Sequence, residues 1–252
     1  MKTLCLGDTG SLGREVAKLT TDHAGHLQFD ISCRSQVRVI LERFKPDVVI
    51  NCVGLVKSRE VPEAAFVEVN ALGPWQLRYE CDHIGAKLLQ VSTDCVFGGK
   101  LKYPATYNEN HSPTPIDIYG KSKLLGEAGH VNIRSSFIGY GKYGLLQWLT
   151  TTSLQVIQGY TNAMWSGLTT PVLAKLLLHI ATNIDTMPAL THIHGEYVSK
   201  YALLGMLNKR FNLGKVIVPV EKPVINRCLS SVHPGTFEVP MLPDMIAALP
   251  YV

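Results

Sequence analysis

The feature that most restricts the fold is a glycine turn set between two kinds of hydrophobic spacing. Thr3, Leu4, Cys5 and Leu6 form a short apolar run, as expected of a buried strand. Gly7-Asp8-Thr9-Gly10-Ser11-Leu12-Gly13 follows at once. Leu12, Val16 and Leu19 then recur at helical spacing, so 11–19 reads as a helix. The glycines are spaced G-x-x-G-x-x-G rather than G-x-G-x-x-G. Glycine permits a tight turn and close backbone approach to a pyrophosphate. The helix start adds free N–H groups and the positive end of its dipole. This order predicts a nucleotide-binding α/β fold, with Gly7, Thr9, Gly10, Ser11 and Leu12 at the cofactor.

The rest of the first half keeps the alternation. A short strand is expected over 26–30 and a helix over 35–45, stopped by Pro46. The run 47–54 is a continuous apolar strand, of the kind buried on both faces of a parallel sheet. A helix over 62–83 is interrupted at Gly73-Pro74. Further strands fall over 87–93 and 131–134, with a proline-bearing loop over 103–118 and a helix from Tyr119 to Ala128 between them. The pattern specifies a doubly wound parallel, Rossmann-type sheet over 1–140. Over 141–252 the rhythm loosens, with helices near 145–158, 171–184 and 199–211. This predicts a smaller, mixed substrate-binding region, partly interleaved with the first.

Composition closes off other classes. Hydrophobic residues are 46% and charged residues 17%, enough to bury a large core. A formal charge of +4 without a dense basic stripe argues against nucleic acid and suits an anionic small ligand. Six cysteines without a C-x-x-C pair predict reduced thiols in a cytoplasmic protein, with no zinc site. Lys175 and His179 interrupt the best membrane-helix candidate, and the stretch before Gly7 is too short for a signal peptide. His192 and His194 alternate as on a strand and read as two surface imidazoles rather than a metal pair. Leu173, Leu176, Leu177 and Ile180 read as a core stripe.

Tyr119 and Lys123 lie four apart, on one helical face. A lysine beside a tyrosine, with a cationic nicotinamide, is expected to lower the phenol pKa and make it a usable proton donor or acceptor. By itself Y-x-x-x-K is a common coincidence. Ser92, Thr93 and Asp94 give it context, because they end a buried strand, and strand carboxyl ends are where ligands bind in open α/β sheets. Thr93 can hydrogen-bond a substrate oxygen beside Tyr119. Thr93, Tyr119 and Lys123 are therefore the expected catalytic group.

At these residues the chain resembles the extended short-chain dehydrogenases, and most closely the dTDP-4-dehydrorhamnose reductase branch. The matching stretches are 4–13, 45–51, 69–71, 91–97, 115–127 and 133–136, in family order. The stretches 159–170, 198–204 and 226–230 resemble the substrate half more loosely. The resemblance implies reduction of the keto group of a nucleoside-diphospho-4-keto-6-deoxyhexose by NADP or NAD, with NADPH ahead, in making deoxysugar nucleotides for surface glycans. It implies that Tyr119 protonates the developing alkoxide, that Lys123 lowers the Tyr119 pKa and binds the nicotinamide ribose, and that Thr93 orients the keto oxygen. It places Cys52, Val53, Gly54, Asn70 and Ser92 at the cofactor, and Asp94, Phe137 and Arg227 at the substrate.

The chain is shorter than the family pattern between the first two helices. If the strand kept there is the second, Asp30 is the acid on the adenosine ribose 2′-hydroxyl, which favours NAD over NADP. If it is the third, Asp30 and Ile31 match the acid-plus-apolar pair beside the adenine, which is the preferred reading. No acidic cluster matches the magnesium site of some members, so no metal is expected. A homodimer stays open. Two alternatives also remain: an epimerase or epimerase-reductase on the same site, and a non-catalytic reductase-like regulatory subunit.

Overall fold

The structure, a computed structural model, describes residues 1–233 and 237–250. The first strand, β1 (Thr3–Leu6), is buried along its whole length. The chain turns at Gly7, whose φ of +92° suits a residue without a side chain. A Cβ added at Gly13 would lie 2.0 Å from the Gly7 carbonyl oxygen, so the turn closes only around glycine. α1 (Ser11–Ala17) follows, then β2 (Asp22–Ala24) and α2 (Arg34–Phe44). β3 (Val48–Asn51) is again fully buried. α3 (Glu63–Phe66) runs through a π-helical stretch, Val67–Leu72, into α4 (Gly73–Ile84). β4 (Lys87–Val91), α5 (Ile118–Leu125) and β5 (Val131–Arg134) complete the first half.

The second half is mixed. It runs β6 (Phe137–Ile138), α6 (Leu145–Thr151), β7 (Val156–Tyr160), β8 (Ala163–Trp165), β9 (Leu168–Thr169) and α7 (Thr170–Thr182). Then come β10 (Leu190–His192), β11 (Val198–Ser199), α8 (Lys200–Arg210), β12 (Val216–Val220), β13 (Ile225–Asn226) and α9 (Leu242–Ala247).

The main sheet has the order β10-β5-β4-β3-β1-β2, and every pair in it is parallel. Helices cover both faces. On one side Val37, Ile40 and Leu41 of α2 pack with Leu77 and Cys81 of α4 against Leu4, Leu6, Val49 and Leu88. On the other, Leu12 and Val16 of α1 meet Leu173, Leu177 and Ile180 of α7 over Cys5, Ile50 and Leu89. Each such fully buried leucine or isoleucine contributes roughly 1.5–3 kcal/mol. The region after residue 140 thus supplies one strand and one covering helix to the first sheet, and the second core cluster continues into Trp165, Leu203 and Leu242.

Four expectations are corrected. The strand expected over 26–30 lies earlier, at Asp22–Ala24, because pairing with Leu4, Cys5 and Leu6 decides it rather than local hydrophobicity. It stands directly beside β1, so the place kept is the second strand's and not the third's. The helix expected over 145–158 ends at Thr151, and 156–160 pairs with β12 as a strand. His192 is not on a surface: it is 1% exposed, while His194 is half-buried and stacks on Tyr197.

No helix among the described residues is long and apolar enough to cross a membrane. All six cysteines are free.

Candidate active site

β1 lies between β2 and β3, so the direction of strand order changes there. Crevices at the carboxyl ends of strands open at such points. Here a cleft of about 510 Å³ is lined by Gly7, Thr9, Gly10 and Ser11 from the glycine turn. Cys52, Val53 and Gly54 after β3 also line it, as do Asp30 and Ile31. All nine are expected cofactor residues. Gly10 caps α1 without a side-chain hydrogen bond, and the first turn carries no acid, so its amides suit an anion. Glycine cradle, cleft and amide-lined turn together fit a dinucleotide.

Leu12, Asn70 and Ser92 do not line the cleft. Leu12 belongs to the core. Asn70 is buried in the π-helical stretch. Its Oδ1 accepts from the Leu55 amide (2.8 Å), and its Nδ2 donates to the Leu55 carbonyl (3.0 Å) and Ser122 Oγ (3.3 Å). It therefore clamps the loop after β3 to α5. Ser92 Oγ donates to Glu127 Oε1 (2.7 Å), which also accepts from buried Arg134 (2.8 Å).

Several lining residues escaped the sequence reading. His26 Nδ1 contacts Thr9 Oγ1 (2.9 Å) at the cleft, and Phe29 lies near it in sequence. Arg59, Lys142 and Tyr143 also line the cleft, with the Arg59 guanidinium 5.6 Å and the Lys142 ammonium 5.8 Å from the Tyr143 ring. Their one available signal is position on loops beyond strand carboxyl ends.

Thr93, Tyr119 and Lys123 do not line the cleft; of the three, Lys123 comes next to Gly54 in its wall. A Cβ on Gly54 would be 3.6 Å from Lys123 Nζ and 3.2 Å from Asn70 Oδ1. The Asp117 carboxylate caps α5 by accepting from the Gly120 amide (2.8 Å). That fixes the start of the helix and so the place of Tyr119, which meets Phe66 edge-on at 6.5 Å. Thr93 is buried, accepts from the Cys95 amide (3.2 Å) and donates to Asp94 Oδ1 (3.2 Å).

Burial raises the Tyr119 pKa above the usual phenol range, and the neighbouring Cys95, Asp94 and Asp117 add to it against the Thr93 hydroxyl. The Lys123 ammonium donates to the Val91 carbonyl oxygen (2.6 Å). Burial lowers the Lys123 pKa to about 8, opposed by Glu127 and Cys52. Tyr119 is thus a protonated donor at neutral pH.

Among the expected substrate residues, Asp94 is buried. Burial raises its pKa, while Arg227 and Lys200 oppose the rise. Arg227 Nε donates to the Phe97 carbonyl (2.9 Å), and its NH1 lies 3.6 Å from Cys95 Sγ. Phe137 packs half-buried against the main core and does not line the cleft. Lys200 was missed by the sequence reading. It sits 5.1 Å over the Trp165 ring, and it joins Arg227 as a second cation beside Asp94. Among the described residues no group of three or more metal-ligating side chains is gathered.

A family model described as the RmlD substrate binding domain matches residues 1–136. A Streptomyces griseus protein named dTDP-4-dehydrorhamnose reductase is 38% identical over 134 residues, 49% of this chain and 43% of that protein. A Xenopus tropicalis protein named methionine adenosyltransferase 2 subunit beta is 31% identical over 144 residues, 50% of this chain and 41% of that protein. The matched stretches thus span about half the length of these relatives, or less. The crystal structure of dTDP-4-dehydrorhamnose reductase from Bacillus anthracis in complex with NADP superposes with a TM-score of 0.82 at 23% identity, covering 98% of this chain and 97% of that one. At that identity the likeness is one of fold.

Proposed function

The chain belongs to the RmlD substrate binding domain family, and from that premise we propose that it reduces the 4-keto group of a nucleoside-diphospho-4-keto-6-deoxyhexose with a reduced nicotinamide cofactor. The observation that carries the reading is the junction of the cleft with the helix that bears Tyr119 and Lys123: Gly54 is flanked by the Lys123 ammonium and the Asn70 side chain.

Gly7, Gly10, Ser11 and the loop over 52–54 would hold the dinucleotide, which supplies the hydride when bound. Thr93 orients the keto oxygen. Tyr119, protonated at neutral pH, gives its proton to that oxygen as charge develops there. Lys123 pins α5 to the end of β4 and presents its remaining protons toward the nicotinamide ribose. Asp94, Lys200 and Arg227 leave a net positive charge for the substrate's diphosphate, and Phe137 stays in this reading as an aromatic flank of the sugar.

We read the cofactor as NADPH ahead of NADH. β2 ends at Ala24 without an acid, and the Asp30 carboxylate accepts from the Ser32 amide (2.9 Å) and hydroxyl (2.7 Å). Both bonds fall on Asp30 Oδ1 and leave Oδ2 open, so the preference rests on the end of β2. Leu72 at the end of the π-helical stretch and Trp75 and Tyr79 on α4, all exposed, support a homodimer. The free cysteines support a reducing, cytoplasmic setting.

The test is the fall in reduced-nicotinamide absorbance when a nucleoside-diphospho-4-keto-6-deoxyhexose is added, with NADPH and NADH compared. Turnover, faster with NADPH, is expected. Absence of turnover with every such sugar, although cofactor binds, overturns the reading. It would favour a second one, a cofactor-binding subunit of another enzyme, which the Xenopus relative's name suggests. An epimerase would change the sugar with no net loss of NADPH.

A further inference from the structure

Two loops far apart in sequence meet at the dinucleotide cleft, and each brings a cation. Arg59 stands on the loop after β3, in a turn closed by its own amide on the Val56 carbonyl oxygen (3.0 Å). Lys142 and Tyr143 stand on the loop after β6. All three line the cleft. The Tyr143 ring joins the loops, with the Arg59 guanidinium 5.6 Å and the Lys142 ammonium 5.8 Å from its centre. Both cations are exposed. Among the described residues neither has a carboxylate within ion-pair distance, although Lys57, two residues before Arg59, is 2.6 Å from Asp117. Two like charges on one ring repel each other, and an exposed ring attracts each of them only weakly. A negative group held between them offsets the repulsion.

The seat of the second loop says which negative group. Gly141, directly before Lys142, packs on the glycine turn: an added Cβ there would lie 2.8 Å from the Ser11 Cβ. Lys142 therefore stands one residue from the place where the glycines admit a diphosphate. Among the described residues Asp30 is the one acid in the cleft wall. Asp30 follows β2 and Arg59 follows β3, and these strands flank β1 on opposite sides. The acid and the two cations are thus on different sides of the glycine turn.

We propose that Arg59 and Lys142 form a two-cation clamp, carried on Tyr143, that binds the diphosphate of the dinucleotide against the glycine turn. The proposal rests on the cofactor reading above and adds a contact to it. The turn offers backbone amides; the clamp offers two full charges. The planar guanidinium can take two phosphate oxygens at once, and the ammonium acts as a point charge. Binding ties the loop after β3 to the loop after β6 through the ligand.

The test is calorimetric titration of the full chain with ADP-ribose, which carries the diphosphate without the nicotinamide, and with adenosine 2′-phosphate, which has no diphosphate. Arg59→Ala should weaken ADP-ribose binding about tenfold. Lys142→Ala should weaken it about threefold, as an exposed point charge. Arg59→Lys keeps the charge and should recover part of the loss. Tyr143→Phe keeps the ring and should bind as wild type, whereas Tyr143→Ala should bind about twofold to fivefold more weakly. Adenosine 2′-phosphate affinity should be the same in all of them. The differences should shrink at about 1 M salt, where the screening length falls to about 3 Å. Unchanged ADP-ribose binding by the Arg59→Ala, Lys142→Ala double variant overturns the clamp and leaves the cofactor reading standing. An equal loss for adenosine 2′-phosphate, or one that salt does not reduce, overturns it as well, because the loops would then only hold the shape of the cleft. A loss confined to thymidine diphosphate overturns the assignment to the dinucleotide and gives the cations to the sugar nucleotide. A wild-type chain that binds neither ADP-ribose nor NADPH overturns the cofactor reading and the clamp with it.

Discussion

Lys123 Nζ donates to the Val91 carbonyl oxygen over 2.6 Å, which ties the helix bearing Tyr119 to the strand that leads into Thr93. The ammonium is buried there, and burial lowers its pKa from 10.5 to about 8. Between those values the unfolded chain binds more protons than the folded one, so stability rises with pH through that window. Below about pH 8 the cost of burying the charge is fully present. The shift corresponds to about 3 kcal/mol. Lys123→Met removes the titration, so the stability difference between wild type and variant should move in the wild type's favour by up to that amount from neutral to alkaline pH. Thermal or urea denaturation of both, without cofactor, checks it.

Tyr119→Phe removes the proton donor and leaves the ring against Phe66. The fall in kcat should be about 10²–10⁴-fold, with dinucleotide affinity and Tm nearly unchanged. Steady-state rates, with NADPH binding followed by fluorescence, separate these effects. A variant as active as wild type would remove Tyr119 from the chemistry.

Glu127 and Arg134 are a buried ion pair behind Ser92, with 12% and 4% of their side chains exposed. Glu127→Leu leaves the guanidinium without its carboxylate, and breaking such a pair costs about 3–5 kcal/mol. The double variant Glu127→Leu, Arg134→Met should recover part of that loss, because no lone charge remains. Urea midpoints of the three proteins measure the coupling.

Gly13→Ala places a methyl 2.0 Å from the Gly7 carbonyl oxygen, so the turn must open. NADPH affinity should drop by at least about tenfold, or ~1.4 kcal/mol. Calorimetric titration reads this directly, and an unchanged Kd would show that the turn does not hold the cofactor.

What could be read before the structure follows from how locally each feature is determined. β1 and β5 have the bounds expected of them, because Thr3–Leu6 and Val131–Arg134 are apolar-rich, fully buried strands. β2 was misplaced, because only Ala24 of its three residues is buried and its pairing with β1 defines it. The break expected at Gly73-Pro74 proved to be the end of a π-helical stretch whose extra residue per turn leaves no hydrophobic signature. In the site, Thr93, Tyr119 and Lys123 were legible through the strand end and the four-residue helical spacing. The lowered Lys123 pKa was not, because it depends on burial and on Glu127 and Cys52 from other parts of the chain. Arg59 meets Tyr143, and Lys200 meets Trp165, only through the tertiary fold.

The borrowing of β10 and α7 by the first sheet bears on how the chain comes to be folded. Until Leu190–His192 has been synthesised, β5 has a bare edge, and until Thr170–Thr182 is present, α1 lacks its partner over Cys5 and Ile50. A nascent chain of the first 140 residues would therefore expose apolar surface and an unpaired strand edge, both of which invite self-association. The two halves share one sheet and one core, so their assembly waits on contacts far apart in sequence.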